Sequence, residues 1–300
     1  AMASPLTTRR QFVQTAAIAA AAATAPRNIF AAARPTAPAW TIGCLNRPWV
    51  KWSVDEMLDG VKAAGYRTVG LQTNTPGEAF VAAGATPAYL AALKQKIAAR
   101  GLKVNLARLT LRDGVPQAEA SAAIRQQLDN ARTLGLGAMI NTGTAKPEHY
   151  EAWYRSMAYA AAYGADIGIQ IVTKPHGGVV AAAAEILKSL EKINHRNVGI
   201  WYDAGNVIHY TGKDPLQELE PIISHVTAFT AKDCAGKGGE VMIQFGEGKV
   251  DFPAIFRRLK QAGFKGPIMV ESCAIKDTAA GTTANAKANR VFLESALAAI

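Results

Sequence analysis

From residue 40 onward the chain alternates between two hydrophobic rhythms. Short β-rich runs occur at 40–44 (WTIGC), 67–72 (RTVGLQ), 103–108 (KVNLAR), 138–142 (AMINT), 168–173 (GIQIVT), 198–203 (VGIWYD), 226–231 (VTAFTA) and 267–271 (PIMVE). Bounded by turn residues, runs of this length and type read as strands. Between them the apolar positions recur at helical spacing. That pattern predicts helices near 53–65, 86–100, 116–134, 147–163, 178–194, 214–224 and 252–263, with another near 284–298. Ser53 with Glu56 has capping-box spacing, Thr86-Pro87 puts a proline in a first turn, and Gly65, Gly101, Gly135 and Gly263 stop helices before the next strand.

Strands alternating with helices imply parallel pairing and right-handed crossovers. Eight such units in about 250 residues match the count and size of a (β/α)8 TIM barrel. A doubly wound open sheet is the competitor. No GxGxxG turn follows the first strand and no P-loop occurs, which argues against that fold and against a nucleotide cofactor. The expected class is α/β, one parallel eight-stranded barrel over 38–300.

Composition changes the picture at the N-terminus. Residues 1–34 hold four arginines and no acid; "TTRRQF" precedes the mild apolar run "VQTAAIAAAAATA", and small residues follow near Ala33. Charge, apolar run and cleavage site in that order are the layout of an export signal, and the paired Arg9-Arg10 is similar to a twin-arginine signal. The expectation is a periplasmic or secreted protein. The formal net charge is +10, to which the leader's arginines contribute four, and no dense Lys/Arg run remains, so no nucleic-acid footprint is indicated. With the leader removed, no membrane association is expected. The three cysteines make no disulfide framework or zinc spacing, although Cys44 and Cys273 end strands that would neighbour each other in a closed barrel.

A TIM barrel carries its chemistry at the C-terminal ends of its strands, which turns the strand pattern into a list of candidates. Asn46, Gln72, Arg108, Asn141, Asn206 and Lys232 are expected to bind substrate. Lys174, His176, Asp203 and Glu271 are expected to carry the chemistry. Lys174, at the end of a buried strand in "IVTKPHGG", breaks the rule that lysines avoid interiors and so invites a reason. A polar ring over an apolar core suits a small polar ligand such as a sugar. Asp233 beside Lys232 reads more simply as a structural ion pair.

The segments "YDAGN" and "GKDP" (202–215), "AKD" after the seventh strand, "FGEGKVDF" (245–252) and "GPIMVES" (266–272), in this order, resemble the xylose-isomerase-like barrels of the sugar isomerase/epimerase superfamily. The resemblance runs over about 41–298. It implies a divalent metal (Mn, Mg, Co or Zn) held by carboxylates after strands five, six and eight and a histidine after strand seven. Here Asp203 and Glu271 keep two of those positions, while Lys174 and Thr230 stand at the others; Asn206 stands where a further histidine is common. Two alternatives are open. A metal could rest on Asp203 and Glu271 with His176, or the Lys174 ammonium could replace its charge. The activity the resemblance implies is proton abstraction next to a carbonyl of an unphosphorylated sugar or keto-sugar, giving epimerisation, isomerisation or β-elimination. The runner-up is a non-catalytic sugar-binding barrel with a decayed metal site.

Overall fold

The alternation of strand and helix closes on itself. A computed structural model describes residues 40–112 and 114–300, and the leader at 1–34 lies outside them. The strands are β1 (Ile42–Leu45), β2 (Thr68–Leu71), β3 (Lys103–Arg108), β4 (Ala138–Ile140), β5 (Gln170–Thr173), β6 (Val198–Tyr202), β7 (Val226–Ala231) and β8 (Ile268–Val270). They form a closed barrel in sequence order, and β8 returns to pair in parallel with β1, Cys44 opposite Val270. The α/β barrel expected from the pattern is therefore the fold.

The helices that cover it are α1 (Val54–Ala63), α2 (Pro87–Ala99), α3 (Gln117–Leu134), α4 (Tyr150–Ile167), α5 (Ala183–Ile193), α6 (Ala204–Thr211), α7 (Pro215–Leu219), α8 (Phe252–Gln261) and α9 (Ala279–Ala298). The Ser53–Glu56 capping box forms, worth about 1 kcal/mol to the start of α1. Among the described residues no helix is long and apolar enough to cross a membrane.

Two departures from the expected elements have local causes. The fifth helix begins at Ala183 rather than near 178 because Gly177 and Gly178 turn at φ +96° and +54°. A Cβ on Gly178 would collide with the Thr144 carbonyl, so only glycine lets the chain pass there. Helix α6, which the hydrophobic pattern did not predict, starts directly after β6, where the Asp203 side chain caps it by accepting the Asn206 N–H.

Apolar side chains separate into two cores. The larger lies between sheet and helices. The smaller fills the barrel and includes Leu45, Leu106, Ile140, Val172, Trp201, Ala228 and Met269. This inner set fixes what lies above it. Strand side chains alternate faces, so the residue two places further on also points into the barrel axis. Arg47, Arg108, Thr142, Lys174, Asp203 and Glu271 follow inner-core residues by that step, and Lys232 follows Ala228 by two such steps.

Candidate active site

At the C-terminal mouth, two lysines and two carboxylates meet without intervening space. Lys174 Nζ, fully buried at the end of β5, donates to Asp203 Oδ2 at 2.9 Å and to Glu271 Oε2. Lys232 Nζ, just past β7, lies 2.8 Å from Glu271 Oε1 and 3.3 Å from Asp203 Oδ2. It also donates to Asn206 Oδ1 at 2.8 Å. Arg47 Nη1 donates to Glu271 Oε1 at 2.9 Å from a side chain that is 31% exposed, against 0–4% for the other four. Three cations thus face two carboxylates, and the cluster holds a surplus positive charge.

The surplus sets the protonation pattern. Burial works against the charge on Glu271, but Lys174, Lys232 and Arg47 outweigh it and hold the carboxyl well below its ordinary range. Burial also opposes the charge on Lys174, and the attraction of Asp203 and Glu271 overcomes it, raising that ammonium. For Lys232 burial prevails: the same carboxylates attract it, Lys174 and Arg47 repel it, and its pKa falls below the ordinary lysine value. The two ammoniums diverge because Lys174 donates to both carboxylates, whereas Lys232 spends one bond on the neutral Asn206 amide. His176 is lowered to about 4 by burial and by the two lysines, so its ring is neutral near pH 7. Its Nε2 lies 3.1 Å from the Tyr210 hydroxyl.

Of the sequence-predicted residues, Lys174, Asp203, Lys232 and Glu271 come together, with His176 beside them. Asn206 lies under the cluster, its Nδ2 donating to the Pro175 carbonyl at 2.7 Å and its Oδ1 accepting from Lys232, so it positions the lysine rather than meeting substrate. Asn46 and Asn141 depart from expectation. They point away from the axis, and backbone groups and neighbouring side chains occupy their amides. Asn46 bonds Thr73 through both its carbonyl and its amide nitrogen; Asn141 bonds the Leu109 carbonyl, the Gly143 N–H and the Trp153 indole. They tie loops together. Gln72 faces the mouth, and its Oε1 has no partner among the described residues, nor does the buried Thr230 hydroxyl. Arg108 is exposed, makes no ion pair among the described residues, and lines a cavity of about 290 Å³ with Asn74, Glu78, Phe80 and Thr110. Sequence reasoning missed Arg47; it lies two places past Leu45, whose place in the inner core only the closed sheet shows.

Asp233 also differs from the expected ion pair. It accepts four backbone N–H groups, from Cys234, Gly246, Gly248 and Val250, and so organises the loop between β7 and α8. Cys44 and Cys273 are free buried thiols, raised by burial, Cys273 to about 12.

The metal that the resemblance implies can be tested against these residues. A hard divalent ion wants about six oxygen or nitrogen donors. Here two carboxylates are available, and every one of their oxygens already accepts a hydrogen bond. No group of three or more His, Cys, Asp or Glu among the described residues could hold an ion. Two buried ammoniums lie within hydrogen-bond range of the same oxygens. Asp203, Glu271 and His176 therefore do not fit as a metal set.

Relatives agree with the fold. Over 125 residues the chain is 28% identical to an inosose dehydratase from Geobacillus thermodenitrificans, covering 36% of this chain and 42% of that protein. The chain spans at most about two fifths of the length of the curated relatives it matches. A D-allulose 3-epimerase from Methylomonas sp. superposes with a TM-score of 0.68 at 18% identity, over 86% of this chain and 98% of that one. A barrel protein from Mycobacterium smegmatis, solved in complex with magnesium, gives 0.67 at 15% identity over 86% and 98%. Residues 58–295, most of the barrel, match the family described as Xylose isomerase-like TIM barrel, and the chain belongs to that family.

Proposed function

We propose that this protein is a sugar-modifying enzyme that moves a proton on the carbon next to a carbonyl of an unphosphorylated sugar or keto-sugar. One observation carries the reading: two buried lysines converge on Asp203 and Glu271 at the end of the barrel where TIM-barrel enzymes work. The relatives' names, a dehydratase and an epimerase, are consistent with it.

The chemistry follows from the charges. When a proton leaves a carbon beside a carbonyl, negative charge develops on the oxygen, and fixed donors there lower the barrier. Lys174, whose ammonium is stabilised by Asp203 and Glu271, is the donor. Glu271 is a weak base because three cations hold it ionised. Lys232, with its lowered pKa, presents a neutral amine more readily than an ordinary lysine and is the better base. The neutral His176 ring, beside the cluster and 3.1 Å from the Tyr210 hydroxyl, is placed to relay a proton once substrate bridges it to the lysines. Arg108, exposed at the wall of its cavity, supplies an unpartnered group that hydroxyls of a sugar would satisfy. In this reading the work is done outside the cytoplasm, after export directed by residues 1–34, and cell fractionation tests that part.

The test is solvent exchange. Incubated in D2O with keto-sugars and inososes, the protein should wash deuterium into the carbon next to the carbonyl, read by NMR. Lys174→Met and Lys232→Met should each slow exchange at least about 100-fold. A second reading, a sugar-binding barrel without turnover, is favoured by one observation: every oxygen of both carboxylates is already engaged. Saturable sugar binding with no exchange in any arm would select it.

A further inference from the structure

We infer that Lys174 and Lys232 together occupy the seat of a divalent cation, so that this chain works without one and lies a few substitutions from a metal site. The inference is independent of which sugar reaction is run, because it concerns the cation and not the substrate.

Charge is the first argument. In the resting cluster, before Lys232 gives up a proton to act as a base, two ammoniums on two carboxylates carry the charge of one divalent ion, and both ammoniums bridge the same pair, Asp203 from the end of β6 and Glu271 from the end of β8. Exclusion is the second. Carboxylate oxygens bind such ions at roughly 2.0–2.6 Å. An ion at that distance would have to displace ammoniums whose side chains are 0–3% exposed. Losing the partners would leave charge buried and unpaired, which is strongly unfavourable. Connection to the frame is the third. Lys232 is held from a third side by Asn206, and Asn206 is anchored to the Pro175 carbonyl beside Lys174. The frame that aims the ammoniums is thus part of the barrel rim itself.

A built-in dication behaves differently from a bound one. It cannot be chelated or exchanged, and it is lost only by deprotonation. The measurement is metal content and metal binding of the purified protein, without reference to activity. After dialysis against Mn2+ and then metal-free buffer, the wild-type chain should carry no stoichiometric ion, and Mn2+ should leave its melting temperature unchanged. The double variant Lys174→Glu, Lys232→Gln exchanges both ammoniums for one more carboxylate and a neutral amide. It should take up one Mn2+ per chain by calorimetry, with a melting temperature several degrees higher in excess Mn2+. Stoichiometric Mn2+, Co2+, Zn2+ or Mg2+ in the wild type overturns the inference. So does a double variant that folds by circular dichroism yet binds no ion. If the double variant does not fold, the milder double variant Lys174→Gln, Lys232→Gln, which also removes both ammoniums, is measured the same way: Mn2+ binding supports the inference, and its absence in the folded protein overturns it. A failure of the deuterium exchange leaves all of these outcomes readable.

Discussion

Two buried aspartates stand at neighbouring strand ends and solve the same problem in opposite ways. Asp233, past β7, is neutralised by four backbone N–H groups of one loop. Asp203, past β6, shares two side-chain ammoniums with Glu271. Peptide dipoles stabilise a carboxylate but can neither give up a proton nor change partner. Ammoniums can do both. The contrast separates a carboxylate that holds a loop from one that sits in a reactive cluster, though both are fully buried aspartates one strand apart.

The largest effect should come from unbalancing the cluster. Glu271→Gln would leave Lys174, Lys232 and Arg47 facing one carboxylate. Removing one partner of a buried ionic group costs about 3–5 kcal/mol, and a loss of that size is expected in chemical denaturation, with activity abolished. Lys232→Met should behave in the opposite way. It removes the surplus charge, so stability should change by less than about 1 kcal/mol while deuterium exchange disappears. If the two variants lost equal stability, the count of three cations against two anions would be the wrong description.

Asp233→Asn sharpens the other side of the comparison. An amide offers one acceptor oxygen where the carboxylate serves four N–H groups, and its own N–H would face donors. Leaving buried donors unsatisfied costs about 1–3 kcal/mol each. The loss should be local: hydrogen exchange should speed up across 234–250, while protection of Lys174 and its neighbours on β5 holds. Global loss of protection would contradict the division of roles.

Much of this was legible in the sequence because it depends on periodicity. The strand–helix beat gave the barrel, and Lys174 stood out because a lysine in a buried strand needs partners. Direction was less legible. Asn46 and Asn141 are polar residues at strand ends, yet Asn46 is spent on the loop after β2 and Asn141 on the Trp153 indole of α4, while Arg47, one place on from Asn46, faces the axis and pairs with Glu271. A period of two anchored on Leu45 or Ile140 distinguishes them, but which apolar residues fill the barrel is known only once the sheet closes. Helix α6 is hidden because it spans only eight residues and starts directly at the strand end, where Asp203 serves as both cluster member and N-cap. The partners of Asp233 lie up to 17 residues away on irregular backbone, which no periodicity reports.

Acid should distinguish the cluster by degrees. His176 titrates at about 4 in the folded chain against 6.5 ordinarily, so between those values the unfolded chain binds the extra proton. Stability therefore falls as pH drops from 6.5 toward 4. Glu271 is lowered from its ordinary 4.5, so its contribution is complete above that value and is lost as pH falls below it. Denaturation midpoints measured across this range should decline in both windows, and His176→Gln should flatten the upper one only. An unchanged slope above pH 4.5 in that variant would mean that another group titrates there.

The smallest effect on the fold, and the most specific effect on function, belongs to Arg108. Its guanidinium makes no ion pair among the described residues, and its side chain is exposed at the wall of the cavity it shares with Asn74 and Thr110. Nothing buried depends on it, so Arg108→Ala should leave stability within about 0.5 kcal/mol. If substrate hydroxyls reach that cavity, losing hydrogen bonds to a charged group should weaken sugar binding by about 1.5–3 kcal/mol, roughly 10- to 150-fold in KM, with kcat little changed. Arg47→Ala gives the matched control. It breaks a bond to Glu271 inside the cluster, so it should alter kcat and the pH profile more than KM. If Arg108→Ala instead lowered kcat with KM unchanged, the cavity would belong to the reacting end of the substrate, and the boundary between binding wall and reactive cluster would have to move from β3 toward β2.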